Sequence, residues 1–202
     1  MTEFNTASLR AAAQKITKSA AAAAAELNAA DGQLGDGDLG ITVSKGWKEI
    51  ADNAGKMPDD VGMALMEGAK AFQKVSSSSY GTLTATAFMA AAKACKGRTA
   101  VPFAETSALV AAARDAMMAR GKGSLGDKTV LDALDAIAKA TAGLSDPAAL
   151  LSAADAACDA ALAEFKGKPN KLGRARMFGE KSQGLDDPGM LALRRVIDGL
   201  KG

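Results

Sequence analysis

Apolar positions recur at helical spacing along most of the chain. Val61, Leu65, Ala69 and Phe72 fall three or four residues apart. They follow Pro58, Asp59 and Asp60, residue types that suit a first helical turn, and predict a helix over 59–75. Leu109, Ala113 and Met117 form a second stripe that Gly121 ends. Leu131, Leu134, Ala138 and Ala142 form a third, ending near Gly143. Leu151, Ala154, Cys158, Leu162 and Phe165 continue the pattern after Pro147. Leu193, Val196, Ile197 and Leu200 follow the Pro188-Gly189 punctuation. Amphipathic stretches near 7–28, 42–54 and 82–96 bring the expected count to eight helices. Strand formers are sparse, so local propensity agrees.

Short connections between helices of similar length favour antiparallel neighbours, so the expected architecture is all-α: one domain over 1–202, an eight-helix up-and-down antiparallel bundle. Three polar, glycine-containing segments are longer: 31–40, 121–129 and 166–189. Long loops on a compact helical scaffold are where function is expected.

Composition narrows the chemistry. No apolar run is long enough to span a bilayer, and the first ten residues lack a basic head and an apolar segment. A cytoplasmic location is the expectation. Cys95 and Cys158 sit in alanine-rich helical stretches and read as buried thiols. The net charge of +2 is mixed along the chain, which argues against nucleic acid as a partner. Histidine is absent, so histidine-based triads, histidine metal ligands and phosphohistidine are excluded.

The segment from Leu27 to Gly40 carries Asp31, Asp36 and Asp38, separated by glycines that let the backbone fold tightly. Converging carboxylates repel unless a hard divalent cation sits among them, and magnesium fits. The competing reading is ordinary Asp-Gly turn chemistry. The spacing does not match an EF-hand, because no glutamate closes a twelve-residue loop.

The loop from Arg120 to Thr129 is glycine-rich and runs into a helix, so backbone N–H groups with Lys122 and Lys128 could hold phosphate. It is not a Walker A loop, and a capping loop would look similar. Ser76 to Thr82 opens a helix with small hydroxyls, which reads as phosphate binding or as capping. The charged stretch from Gly173 to Gly189 reads as a lid over a ligand or as a solvated loop.

Taken together, the blocks Gly35-Asp36-Gly37-Asp38, Gly126-Asp127-Lys128-Thr129 with Leu131-Asp132, Gly173-Arg174-Ala175, Gly179-Glu180-Lys181-Ser182 and Asp187-Pro188-Gly189 resemble the dihydroxyacetone kinase L subunit family over nearly the whole chain. The resemblance implies an eight-helix up-and-down barrel with the nucleotide, ATP or ADP, held by loops at one end. It assigns magnesium to Asp31, Asp36 and Asp38. It assigns nucleotide contacts to Leu39, Gly40, Ile41, Thr42, Ser79, Tyr80, Gly81, Gly121, Val130, Arg174, Asp187, Pro188 and Gly189. A small ketose would be held by a separate sugar-binding (DhaK-like) subunit, the donor would be ATP or a bound ADP recharged by a phosphotransferase-system protein, and a homodimer is compatible.

Four departures from the family pattern touch the phosphate shell. Leu39 stands where the family has histidine, Thr42 where it has asparagine, and Leu185 where a second histidine is common. The Gly-Ser-Ser-Gly-like turn becomes Ser78-Ser79-Tyr80-Gly81, with a bulky ring where a small residue is expected. These changes point to a divergent branch with another substrate or donor. A regulatory nucleotide-binding module and a purely structural bundle are the competing functional readings.

Overall fold

The computed structural model describes residues 2–75 and 78–201. A short strand β1 (Glu3–Asn5) leads into α1 (Thr6–Ala22), followed by α2 (Ala24–Leu34), α3 (Leu39–Asp52), α4 (Val61–Val75) and α5 (Ser79–Cys95). Strand β2 (Ala100–Pro102) precedes α6 (Thr106–Gly121), α7 (Val130–Ala140), α8 (Pro147–Lys166) and α9 (Pro188–Lys201). Three 3-10 segments span Ala54–Lys56, Phe103–Glu105 and Arg174–Ser182.

The expected helices are present, with two differences. The stretch expected over 7–28 is a rod in two pieces, α1 and α2, that continues to Leu34. Hydrogen bonds from Ala23 N to Ser19 O and from Leu27 N to Ala23 O, both 2.9 Å, carry the ladder across the joint. Asp31 therefore stands on a helix and not in a loop, and the true loop is only residues 35–38. The second difference is the antiparallel pair β1–β2, which matches Phe4 with Val101. Three residues are too few for a period-2 pattern to register in the sequence. The pair closes the end of the bundle away from the long loops, with Val101 buried against Val61 and Cys95.

Each helix packs against its successor, and α9 returns to pack against α1, so the ring is closed as a barrel. The interior divides into apolar clusters. Phe72 lies edge-on to Trp47 at 6.0 Å and stacks with Phe88 at 6.0 Å. Gly46 makes this possible: a Cβ there would fall 2.3 Å from the Phe72 ring. Leu27, Leu39, Val43 and Leu191 form a second cluster, and Ile137, Cys158, Phe165 and Met190 a third. Both cysteines are buried free thiols, as expected. Burial pushes the Cys158 thiol up to about 12.

Up-and-down alternation puts the N-termini of α3, α5, α7 and α9 at one end, together with the C-termini of α2, α4, α6 and α8. The loops 35–38, 122–129 and 167–187 all lie there, and so does the start of α5. Among the described residues, no helix is long and apolar enough to cross a membrane.

Candidate metal and phosphate site

The acidic corner between α2 and α3 is built by side chains of α2. A helix start leaves its first N–H groups without intrahelical partners. Asp38, the residue before α3, makes no side-chain capping bond. The capping comes instead from one turn of α2. Asp31 Oδ2 accepts from the N–H groups of Asp38 at 3.0 Å and Leu39 at 3.3 Å. Asn28 Oδ1 accepts from Gly40 at 2.7 Å and Ile41 at 3.3 Å. Residues 28 and 31 share a face of α2 because they are three apart. Gly40 permits the approach: a Cβ there would meet the Ala24 carbonyl oxygen at 2.0 Å.

This arrangement leaves the Asp36 and Asp38 carboxylates free of capping work. One oxygen each from Asp31, Asp36 and Asp38 can be chosen so that all three lie within 4.8 Å of one another. Gly35 matters to the same cluster, since a Cβ on it would fall 2.6 Å from Asp31 Oδ1. Gly37 takes φ +77°, which favours glycine. Burial, and then the charges of Asp36 and Asp31, hold the Asp38 carboxyl above its ordinary range. Three converging hard oxygen donors fit a magnesium-type cation. Arg174 pairs with Asp36 from across the mouth.

The other residues assigned to the nucleotide distribute over the same end. Ile41, Ser79 and Arg174 are exposed, and Gly121 and Gly189 are half-buried. Leu39, Gly40, Thr42, Gly81, Val130, Asp187 and Pro188 are buried beneath them. Thr42 Oγ1 donates to Ser78 Oγ at 3.2 Å, which ties the start of α3 to the start of α5. Ser78 Oγ accepts from Gly81 N at 3.1 Å and so caps α5. Ser76 and Ser77 lie outside the described residues.

The Tyr80 ring is half-buried and packs against two apolar clusters, the one that holds Leu39 and Leu191 and the one that holds Val130 and Met117. Burial, with the charge of Asp187 adding to it, drives the phenol pKa well above the ordinary range. The bulky ring therefore packs partly into the core, and Ser79 beside it is exposed.

Lys128 also departs from expectation. It is fully buried, in the left-handed region at φ +59°, and offers no charge to a phosphate at the surface. Its ammonium donates to three carbonyls: Lys168 at 2.8 Å, Ser182 at 2.9 Å and Lys166 at 3.2 Å. Asn170 Nδ2 donates to Lys128 O at 2.7 Å and to Asp187 Oδ2 at 2.9 Å. Asp187 Oδ1 accepts from Met190 N at 2.8 Å, which caps α9. Burial pushes the Asp187 carboxyl up to about 6, while Met190, Asn170 and Lys128 pull the other way. Asp187 thus ties the start of α9, with Pro188 and Gly189, to Asn170. The stretch 167–187 is neither loose nor merely solvated, because this buried network anchors it.

Sequence reasoning missed Asn28, Asn170 and Ser182. A signal existed for Asn28, a polar residue one turn before Asp31 on the same helix face. None existed for Asn170, whose partners are distant in sequence, and Ser182 was visible only as the end of the Gly179-Glu180-Lys181-Ser182 block.

A closed helical barrel with three convergent carboxylates and several helix starts at one end defines a class of protein suited to metal-assisted phosphate chemistry. The DAK2 domain pattern matches residues 33–202, and the chain belongs to the DAK2 domain family. It is 29% identical to the ADP-binding subunit DhaL of the PEP-dependent dihydroxyacetone kinase of Escherichia coli (strain K12), over 81% of this chain and 80% of that protein. It is 31% identical to the ADP-binding subunit DhaL of PEP-dependent dihydroxyacetone kinase 2 of Listeria innocua serovar 6a, over 87% of this chain and 86% of that one. In structure it resembles the crystal structure of the dihydroxyacetone kinase from C. freundii in complex with AMP-PNP and Mg2+, at a TM-score of 0.72 and 24% identity. That match covers 96% of this chain and 33% of the longer one, and it bears on the fold. The chain is a kinase subunit of this family.

Proposed function

We propose that the chain binds a magnesium nucleotide, ATP or ADP, and serves as the phosphoryl-donating subunit for dihydroxyacetone or a related small ketose held by a partner subunit. The observation that carries the reading is the convergence of Asp31, Asp36 and Asp38 at the end where the helix starts gather. It is supported by family membership and by relatives of matching length named as ADP-binding kinase subunits.

Phosphoryl transfer asks for positioning and charge neutralisation more than for a covalent side-chain step, which suits a chain without histidine. Bound magnesium would neutralise phosphate oxygens and fix their orientation. The residues of this chain do the rest. Asp31, Asp36 and Asp38 would hold the cation, with Asp31 fixed in orientation by the N–H groups of Asp38 and Leu39. Arg174 would exchange its bond to Asp36 for one to a phosphate. Val130, Pro188 and Gly189 would form the floor beneath the nucleotide.

The test is phosphorylation of dihydroxyacetone by the chain mixed with the sugar-binding subunit of a dihydroxyacetone kinase, with ATP as donor in one arm and a PEP-charged phosphotransferase-system protein in the other. Product in either arm supports the reading and names the donor. Nucleotide binding without product in both arms would favour the regulatory module.

A further inference from the structure

The stretch 167–187 leaves the barrel after α8 and returns to it at α9 as a strap with a closed base. Gly184 N donates to Lys166 O at 2.8 Å across that base, and Asn170 N donates to Ser182 Oγ at 2.8 Å. Lys171 N donates to Asp127 O at 3.0 Å and so ties the strap to the loop before α7. The free part of the strap reaches the acidic corner through Arg174 and Asp36, both largely exposed. Its neighbour Met177 is 74% exposed and adds little apolar burial there.

Lys128 sits under the base. An ammonium has three donors and no acceptor, and here each donor finds one carbonyl. One of those carbonyls, Lys166, ends α8 where the strap leaves it, one belongs to the outgoing limb, Lys168, and the third to the returning limb, Ser182. Burial disfavours the charged amine, and Asp187 and then Asp186 offset this. A left-handed backbone at a residue with a side chain is itself costly, and the surrounding structure must impose it. Truncating Lys128 would leave three carbonyls at the base without that donor.

We propose that Lys128 is a positioning residue: it holds the two limbs of the 167–187 strap together so that Arg174 is presented to the metal and phosphate site. Its effect on ligand binding passes through Arg174, and this second half rests on the nucleotide reading above. The strap half stands on the geometry alone.

The test uses the full chain, with Mg-ADP as the probe in isothermal titration and with limited trypsin digestion at Arg174, Arg176 and Lys181. In Lys128→Met, strap cleavage is expected to quicken and Mg-ADP to bind about tenfold more weakly, the scale seen when the support of a ligating group is removed. Arg174→Gln alone should weaken binding by a similar factor. Added to Lys128→Met it should cost less than about twofold more, because groups acting through one contact are not additive. Lys128→Arg, which keeps the charge and enough donors, should recover most of the affinity. If Lys128→Met does not fold, Lys128→Gln, with two donors, takes its place in every arm. Unchanged cleavage and affinity in the substituted chain, or a full multiplication of the two single effects, would overturn the proposal. A parent chain that binds no Mg-ADP removes the nucleotide reading, and the digestion then decides the strap half alone.

Discussion

Replacing Asn28 by alanine probes how the acidic corner is built. The substitution removes the acceptor of two N–H groups at the start of α3. They are not equivalent. Gly40 is buried, so its N–H has no route to water and loses the full value of a satisfied donor, about 1–3 kcal/mol. Ile41 is exposed, and solvent can replace the lost bond at little cost. A total near 2 kcal/mol is expected, which in a chain of this size lowers the unfolding temperature by roughly 4–8 °C. Asp146 provides a control, since it caps α8 through Ala149 N at the opposite end and an alanine there should cost about 1 kcal/mol. Calorimetric unfolding and Mg-ADP titration of both variants separate the effects. Asn28→Ala should lose stability and Mg-ADP affinity together, because the loop bearing Asp36 and Asp38 is pinned through that helix start. Asp146→Ala should lose stability alone. Asn28→Asp keeps the acceptor and should unfold within about 1 kcal/mol of the parent. An Asn28→Ala chain that binds Mg-ADP as the parent does would refute the reasoning.

Two further outcomes follow from the electrostatics. Arg174 and Asp36 are both exposed, so Arg174→Gln should change stability by less than about 1 kcal/mol while weakening Mg-ADP binding, which denaturant unfolding and titration read separately. Asp187 has its folded pKa raised to about 6. Between the unfolded value and 6 the folded chain holds a proton that the unfolded chain has lost, so stability falls as pH rises through that window, by up to about 3 kcal/mol. Asp187→Asn should flatten that slope in unfolding curves taken from pH 4 to 7, and an unchanged slope would assign it to other groups.

The helices were legible because their apolar stripes are long and regular, and Pro147, Gly121 and Gly143 punctuate them. The extension of the first rod to Leu34 was not, because Asp31-Gly32 reads as a turn until tertiary packing keeps it helical. The pair β1–β2 was hidden by its length. Within the site, the carboxylates were legible from spacing, but the work behind them was not. Lys128 looked like a phosphate ligand because glycine-rich basic loops often are, and only the fold shows that its ammonium is spent on distant carbonyls. Tyr80 looked like an obstruction because sequence cannot say that its ring packs against two apolar clusters.

The most direct test is thermal unfolding of the chain with and without Mg-ADP, beside a variant carrying Asp36→Asn and Asp38→Asn. Ligand that binds only the folded state at a hundredfold excess over its dissociation constant adds about 2.7 kcal/mol, a rise of roughly 5–10 °C here. That rise is expected in the parent, with a dependence on magnesium, and is expected to vanish in the double variant. No rise in parent protein freed of bound nucleotide, or an equal rise in the double variant, would contradict the nucleotide reading.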